Sequence, residues 1–81
     1  MQATIVLPEL GAAPALLSIW FAEPGDVVYE GDRLVEVLVR GATFDVSAPA
    51  TGRLAEQRAW PNDPLQTGQV LGVVDVDEAG A

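Results

Sequence analysis

The side chains that most often carry out chemistry in proteins are missing from this sequence. It contains no histidine and no cysteine, and its four basic residues are all arginines, so it has no lysine either. Histidine is the commonest general base, and lysine and cysteine are common nucleophiles. Ser18 and Ser47 therefore lack a group to activate them. We expect no catalytic residue, and we predict that the chain is not an enzyme.

Carboxylates are the remaining groups with acid–base or metal-binding chemistry. Asp26 and Asp63 each lie in a turn, where aspartate normally accepts hydrogen bonds from its own turn amides. We interpret both as caps of their turns and not as an acid–base pair. Asp75, Asp77 and Glu78 offer oxygen ligands, but they lack the glycine and the loop spacing of a calcium site. The sequence therefore predicts no metal site.

Trp20 and Trp60 are the two tryptophans of the chain. Indole rings can bind a ligand by stacking, but a small domain also needs their large area for its core or its rim. We predict core or rim packing for both.

The formal net charge of -8 on 81 residues limits the classes of partner. A polyanionic surface repels phosphates, so nucleic acid and anionic membrane surfaces are excluded as partners. No apolar run approaches the length of a membrane span, and no basic segment followed by an apolar core opens the chain. We expect one small domain in the cytoplasm.

Two segments of the first half have the composition of strands. Apolar and polar residues alternate over residues 1–7. Residues 16–21 are apolar except for Ser18, and we predict a strand that is buried on much of both faces. A short helix between Pro14 and Pro24 is the alternative.

Two further strands, residues 34–39 and 42–46, flank a two-residue turn at Arg40 and Gly41. Glycine allows the positive φ that the second central position of such a turn often adopts. Alternation places Val35, Val37 and Val39 on one face of the first strand and Leu34, Glu36 and Leu38 on the other. In the return strand we predict that Ala42, Phe44 and Val46 point inward.

The second half of the chain repeats the first after a shift of thirty-seven residues. The matched pairs are Pro24 and Pro61, Gly25 and Asn62, Asp26 and Asp63, Gly31 and Gly68, Leu34 and Leu71, and Val37 and Val74. Each half has a turn, a short apolar step, a glycine turn and an apolar strand. Two such half-sheets can bury each other's apolar faces with approximate two-fold symmetry. We predict an all-β sandwich or flattened barrel over residues 1–76, followed by a frayed tail, residues 77–81.

Four short segments together resemble the lipoyl domains of 2-oxoacid dehydrogenase complexes. Residues 7–11 (LPELG) resemble the opening motif of that family, and residues 24–34 (PGDVVYEGDRL) resemble its central motif. Residues 47–52 and 68–71 match its later turns in order and spacing. The resemblance implies the biotinyl/lipoyl fold, a hammerhead of two antiparallel four-stranded sheets with quasi-two-fold symmetry.

The function of that family depends on one lysine at the tip of the central hairpin, which carries the lipoyl or biotinyl group. By comparison with the family's motif, Gly41 occupies the lysine position and Arg40 the position of a neighbouring aspartate. Because the chain has no lysine, we expect no lipoylation, no biotinylation and no cofactor. The residues left at the tip, Leu38, Val39, Arg40 and Gly41, form a candidate protein contact surface. The alternative is that Leu38 packs on the strand pair or under a loop.

The resemblance implies three functional hypotheses. In the first, the domain is a non-catalytic interaction module whose protein partner belongs to a 2-oxoacid dehydrogenase or carboxylase system. In the second, it is a peripheral part of a larger acyltransferase, carboxylase-type or membrane-fusion-type assembly. In the third, it is a carrier domain that has lost its swinging arm. An unpaired strand edge is compatible with a monomer or a weak homodimer.

Overall fold

A computed structural model describes residues 1–11 and 13–76 of the chain. It contains eight strands and no helix within these residues, and the tail predicted to fray lies outside them. The strands are β1 (Gln2–Val6), β2 (Ala15–Trp20), β3 (Val27–Val28), β4 (Arg33–Val39), β5 (Ala42–Ser47), β6 (Gly52–Gln57), β7 (Pro64–Leu65) and β8 (Val70–Asp75). In the described part of the chain, no helix is long and apolar enough to cross a membrane.

The strands form two four-stranded sheets, with the orders β1-β8-β6-β3 and β5-β4-β2-β7. All strand pairs are antiparallel. Each sheet contains strands from both halves of the chain, so neither half can complete its sheet alone. This arrangement confirms the predicted all-β sandwich of two four-stranded sheets.

The thirty-seven-residue repeat is visible in paired hydrogen bonds. The backbone N–H of Glu23 donates to Oδ2 of Asp26 at 2.8 Å, and the N–H of Trp60 donates to Oδ2 of Asp63 at 2.9 Å. Both aspartates therefore cap their own turns, as predicted. A carboxylate that caps its turn has one oxygen committed to the backbone, which explains why these residues recur at equivalent positions.

Equivalent backbone bonds also join the two halves. The N–H of Gly25 donates to the carbonyl of Leu54, and the N–H of Asn62 donates to the carbonyl of Leu17. Gly25 and Asn62 both have positive φ, at 97° and 74°. Glycine and asparagine tolerate this conformation better than other residues. The sequence-level match of Gly25 with Asn62 is thus a match of turn conformation.

The core lies between the sheets and is apolar throughout within the described residues. Its largest fully buried side chains are Ile5, Leu17, Leu34, Leu54, Leu71, Val35, Val37, Val73 and Val74. Both halves contribute to this set, because each half supplies two strands to each sheet. Burial of the shared core therefore couples the folding of the halves.

Two burial predictions are wrong. The strand β2 is buried on one face only, since Leu16 is 38% exposed and Ile19 is 46% exposed. A register shift between Leu17 and Ile19 also interrupts its pairing with β4. In β5, Val46 is buried as predicted, but Ala42 and Phe44 are exposed. The reason is that β5 is an edge strand, so its inward-facing side chains lie at the open border of the sandwich.

Candidate functional site

The hairpin between β4 and β5 ends in a turn of two residues. Val39 pairs with Ala42 across the strands, which leaves Arg40 and Gly41 as the tip. Arg40 has φ 50° and Gly41 has φ 79°. Positive φ at both central residues is the mark of a type I′ turn, whose twist matches that of the flanking strands. Positive φ was predicted for Gly41, whereas the left-handed conformation of Arg40 was not.

The alternation along β4 separates the residues predicted as a contact surface. Leu38 is 36% exposed, and it lies on the outer face of its sheet between its cross-strand partners Leu16 and Thr43. Val39 is only 6% exposed and belongs to the core. Its side chain therefore adds little area to any contact. The tip presents Arg40 and Gly41 to solvent, with Leu38 on one side.

An open depression of about 380 Å³ lies beside the tip, on the side away from Leu38. The tip residues Val39, Arg40 and Ala42 line it together with Phe44 of β5 and with Leu10, Gly11 and Ala13 of the β1–β2 connection. The contribution of the β1–β2 connection was not predicted from the sequence. Local patterns carried no signal for it, because the β1–β2 connection meets the hairpin only after the two halves have assembled.

Arg40 differs from the other arginines in its surroundings. Arg58 pairs with the carboxylate of Glu56, and Arg53 donates to the carbonyl of Gly25 at 3.0 Å. The guanidinium of Arg33 lies 4.4 Å from the ring centroid of Phe21, which is a cation–π contact. For Arg40, no hydrogen bond, ion pair or aromatic contact is present within residues 1–11 and 13–76.

An acidic pair lies farther along the hairpin from Arg40, on the face that also holds Leu38. Glu36 of β4 lies directly opposite Asp45 of β5. Like charges at opposite positions repel each other across a strand pair. The face therefore offers, along the hairpin, an acidic pair, then Leu38, then the cation of Arg40. A complementary partner surface would be polar and would place an anionic group against Arg40.

Reactive groups do not converge in the described structure. Ser18 lies in β2 at the register shift, and Ser47 ends β5 opposite Arg33. No group of three or more histidine, cysteine, aspartate or glutamate side chains within residues 1–11 and 13–76 could hold a metal ion. Asp77 and Glu78 lie outside the described residues.

The tryptophans fit their predicted packing roles unequally. Trp20 is half-buried at the rim of the core, and its indole N–H donates to the carbonyl of Ala59 at 2.8 Å. Trp60 is 55% exposed, so of the predicted core or rim positions it does not occupy the core. Its position follows from the turn capped by Asp63, which holds the backbone of Trp60 at the surface.

Comparison with known proteins gives a consistent set of relatives. The family model described as "Biotin-requiring enzyme" matches residues 3–74. The succinyltransferase component of the 2-oxoglutarate dehydrogenase complex of Bartonella vinsonii subsp. berkhoffii is 34% identical over 83 residues, which cover 100% of this chain and 20% of that protein. The dihydrolipoyllysine-residue acetyltransferase component of the acetoin cleaving system of Pseudomonas putida is 31% identical over 78 residues, with coverages of 94% and 21%.

A solved structure agrees with these matches. The lipoyl domain of the 2-oxoglutarate dehydrogenase complex from Azotobacter vinelandii aligns with a TM-score of 0.67 and 26% identity. The alignment covers 86% of this chain and 87% of that domain. The chain spans about a fifth of the length of the curated relatives, so it matches one domain of those larger proteins.

Proposed function

Since the chain belongs to the biotinyl/lipoyl domain family, we propose that it is a lipoyl-like domain that carries no prosthetic group and acts as a non-catalytic protein interaction module. The observation that carries this proposal is the tip of the central hairpin. Arg40 and Gly41 form the turn there, and the chain contains no lysine.

The residues present do not fit a lipoyl or biotinyl group. Members of the family that carry such a group hold it through the amine of a lysine at this tip. Gly41 has no side chain, and the guanidinium of Arg40 is too weak a nucleophile to replace an amine in forming the amide. A group-transfer role is therefore not proposed for this chain.

The exposed guanidinium of Arg40, which has no partner among residues 1–11 and 13–76, supports a role in contact. An exposed arginine next to apolar surface is a frequent anchor of protein interfaces, because its planar guanidinium can donate two parallel hydrogen bonds to one carboxylate. Arg40 stands between Leu38 on one side and the depression with Phe44 on the other. We propose that these side chains contact an acidic site on a component of a 2-oxoacid dehydrogenase or carboxylase system, in the cytoplasm.

Mass spectrometry of the intact protein from its native cell tests the absence of the group. We expect the mass of the unmodified chain. An added mass equal to that of a lipoyl or biotinyl group would overturn the proposal, because it would place the attachment on a residue other than lysine.

A second candidate function rests on the length comparison. Because the matched relatives are about five times as long as this chain, the domain can also be the peripheral part of a larger acyltransferase, carboxylase-type or membrane-fusion-type assembly. Determining the natural reading frame and its neighbours distinguishes the two. A frame that continues into an acyltransferase core would favour this candidate over an independent module.

A further inference from the structure

An open cleft at the other end of β2 from the hairpin tip contains both tryptophans of the chain. Ala15 at the start of β2 pairs with Val39 beside the tip, whereas Trp20 ends the strand. The cleft has a volume of about 430 Å³. We call it the aromatic cleft, and three repeat-equivalent pairs line it: Trp20 and Gln57, Glu23 and Trp60, and Pro24 and Pro61.

The repeat shows that the hydrogen bond made by Trp20 does not require an indole. The indole N–H of Trp20 donates to the carbonyl of Ala59, and Nε2 of Gln57 donates to the carbonyl of Ala22 at 3.0 Å. Both bonds join equivalent positions of the two halves. A glutamine therefore suffices to make this bond. The indole of Trp20 packs against the core on one side and also presents aromatic surface to the cleft.

The side chains of Glu23 and Trp60 are also dispensable for their turns. Each residue contributes its backbone N–H to the cap, at Asp26 and at Asp63 respectively. Neither side chain has a hydrogen bond or ion pair within residues 1–11 and 13–76. Trp60 is 55% exposed, and Ile19, which also lines the cleft, is 46% exposed. A large apolar surface and a carboxylate thus face solvent together.

The electrostatics of the aromatic cleft favour a cation. Among the described residues that line it, Glu23 is the one ionisable side chain, and none is an arginine. Indole rings attract cations through their negative faces, and the planar guanidinium of arginine both stacks on rings and binds carboxylates. The net charge of -8 adds a long-range attraction for a basic partner.

From these observations we propose that the aromatic cleft binds an arginine side chain presented by an extended segment of a partner protein. The guanidinium contacts the indoles and pairs with the carboxylate of Glu23, while the flanking backbone lies against Pro24 and Pro61. This site is separate from the contact proposed for the hairpin tip, so each can be tested without altering the other.

The test is an NMR titration of the ¹⁵N-labelled chain with the peptide acetyl-Ala-Ala-Arg-Ala-Ala-amide. Because both tryptophans line the cleft, the two indole N–H resonances report on it directly. We expect saturable shifts with a dissociation constant on the order of 1 mM, and about tenfold weaker binding when citrulline, the neutral isostere, replaces arginine.

Variants identify the groups involved. We expect Trp60→Ala to weaken binding about tenfold and Glu23→Gln to weaken it about threefold or more. Glu30→Gln is the charge-matched control, since Glu30 is exposed and does not line the cleft. Tyr29→Gln is the control for loss of an exposed aromatic ring, because Tyr29 is 61% exposed outside the cleft. Both controls are expected to bind like the wild type.

Three results would overturn the proposal. The first is no shift of either indole resonance at peptide concentrations of about 10 mM, well above the expected dissociation constant. The second is equal affinity for the arginine and citrulline peptides, which would mean that the cleft accepts any short segment. The third is equal weakening by Glu23→Gln and Glu30→Gln, which would mean that only the overall negative charge attracts the peptide.

Discussion

Arg40 and Gly41 share a left-handed backbone conformation at the tip of the β4–β5 hairpin, with φ 50° and 79°. The turn they form keeps the strand pairs Val39–Ala42 and Leu38–Thr43 in register. It also places an arginine where the backbone prefers asparagine or glycine. The positive φ of Arg40 therefore costs stability. Backbone strain of this kind is common at functional sites.

Replacing Arg40 by asparagine is expected to stabilise the domain. Asparagine adopts positive φ more readily, so the free energy of unfolding should rise by roughly 0.5 kcal/mol or more. Urea denaturation followed by tryptophan fluorescence measures it. Arg40→Val is the matched comparison, since a β-branched residue tolerates positive φ least, and it should lower the stability. An Arg40→Asn protein less stable than the wild type would show that the guanidinium makes a stabilising contact.

Placing lysine at the tip is not expected to restore a carrier domain. A Cβ atom at Gly41 would meet no atom of the described residues within 4 Å, so we expect the cost of Gly41→Lys to come from the backbone conformation at φ 79°, about 1–2 kcal/mol. Incubation with a lipoate ligase and lipoate, followed by mass spectrometry, should show little modification. The resemblance to the family's motif places Leu38 and Arg40 where acids flank the lysine, and we expect the ligase to read those acids. A lipoyl domain of a 2-oxoglutarate dehydrogenase complex is the positive control. Efficient lipoylation of the variant would favour a recently lost swinging arm.

Gly52 is required by the close approach of β6 and β8. A Cβ atom at this position would lie 2.2 Å from the carbonyl oxygen of Asp75. Since that oxygen belongs to the backbone, Gly52→Ala should cost at least about 2 kcal/mol of unfolding free energy. Gly31→Ala is the control, because Gly31 has φ 92° but open space around it, and it should cost only about 1 kcal/mol. Equal losses in the two variants would contradict the packing argument.

The sequence predicted the fold through its repeat and its turns. The matches of Asp26 with Asp63 and of Gly25 with Asn62 are local, and a turn residue has the same requirement wherever the turn occurs. The exposure of Phe44 and Ile19 was not predictable in this way. Periodicity shows which side chains share a face, but not whether another layer covers that face, and an edge strand such as β5 leaves its inner face partly open.

Local patterns likewise predicted only part of the geometry of the candidate site. The turn at Arg40 and Gly41 and the opposite orientations of Leu38 and Val39 follow from the two-residue loop and the period of a strand. The approach of the β1–β2 connection to the tip does not follow from any local pattern, because it depends on how the two halves assemble. The aromatic cleft is a similar case, since Trp20 and Trp60 come from different halves of the repeat.

The most direct test of whether the hairpin tip contacts a partner protein is a pull-down from native lysate in which the bound proteins are identified. The bait proteins are the wild type, the tip variant Leu38→Asp/Arg40→Glu and the control Arg53→Glu. The control reverses the charge of an exposed arginine away from the tip. Circular dichroism verifies that all three fold. We predict that the wild type and Arg53→Glu retain a component of a 2-oxoacid dehydrogenase or carboxylase system and that the tip variant loses it. Retention of the same component by the tip variant would contradict a contact role for the hairpin.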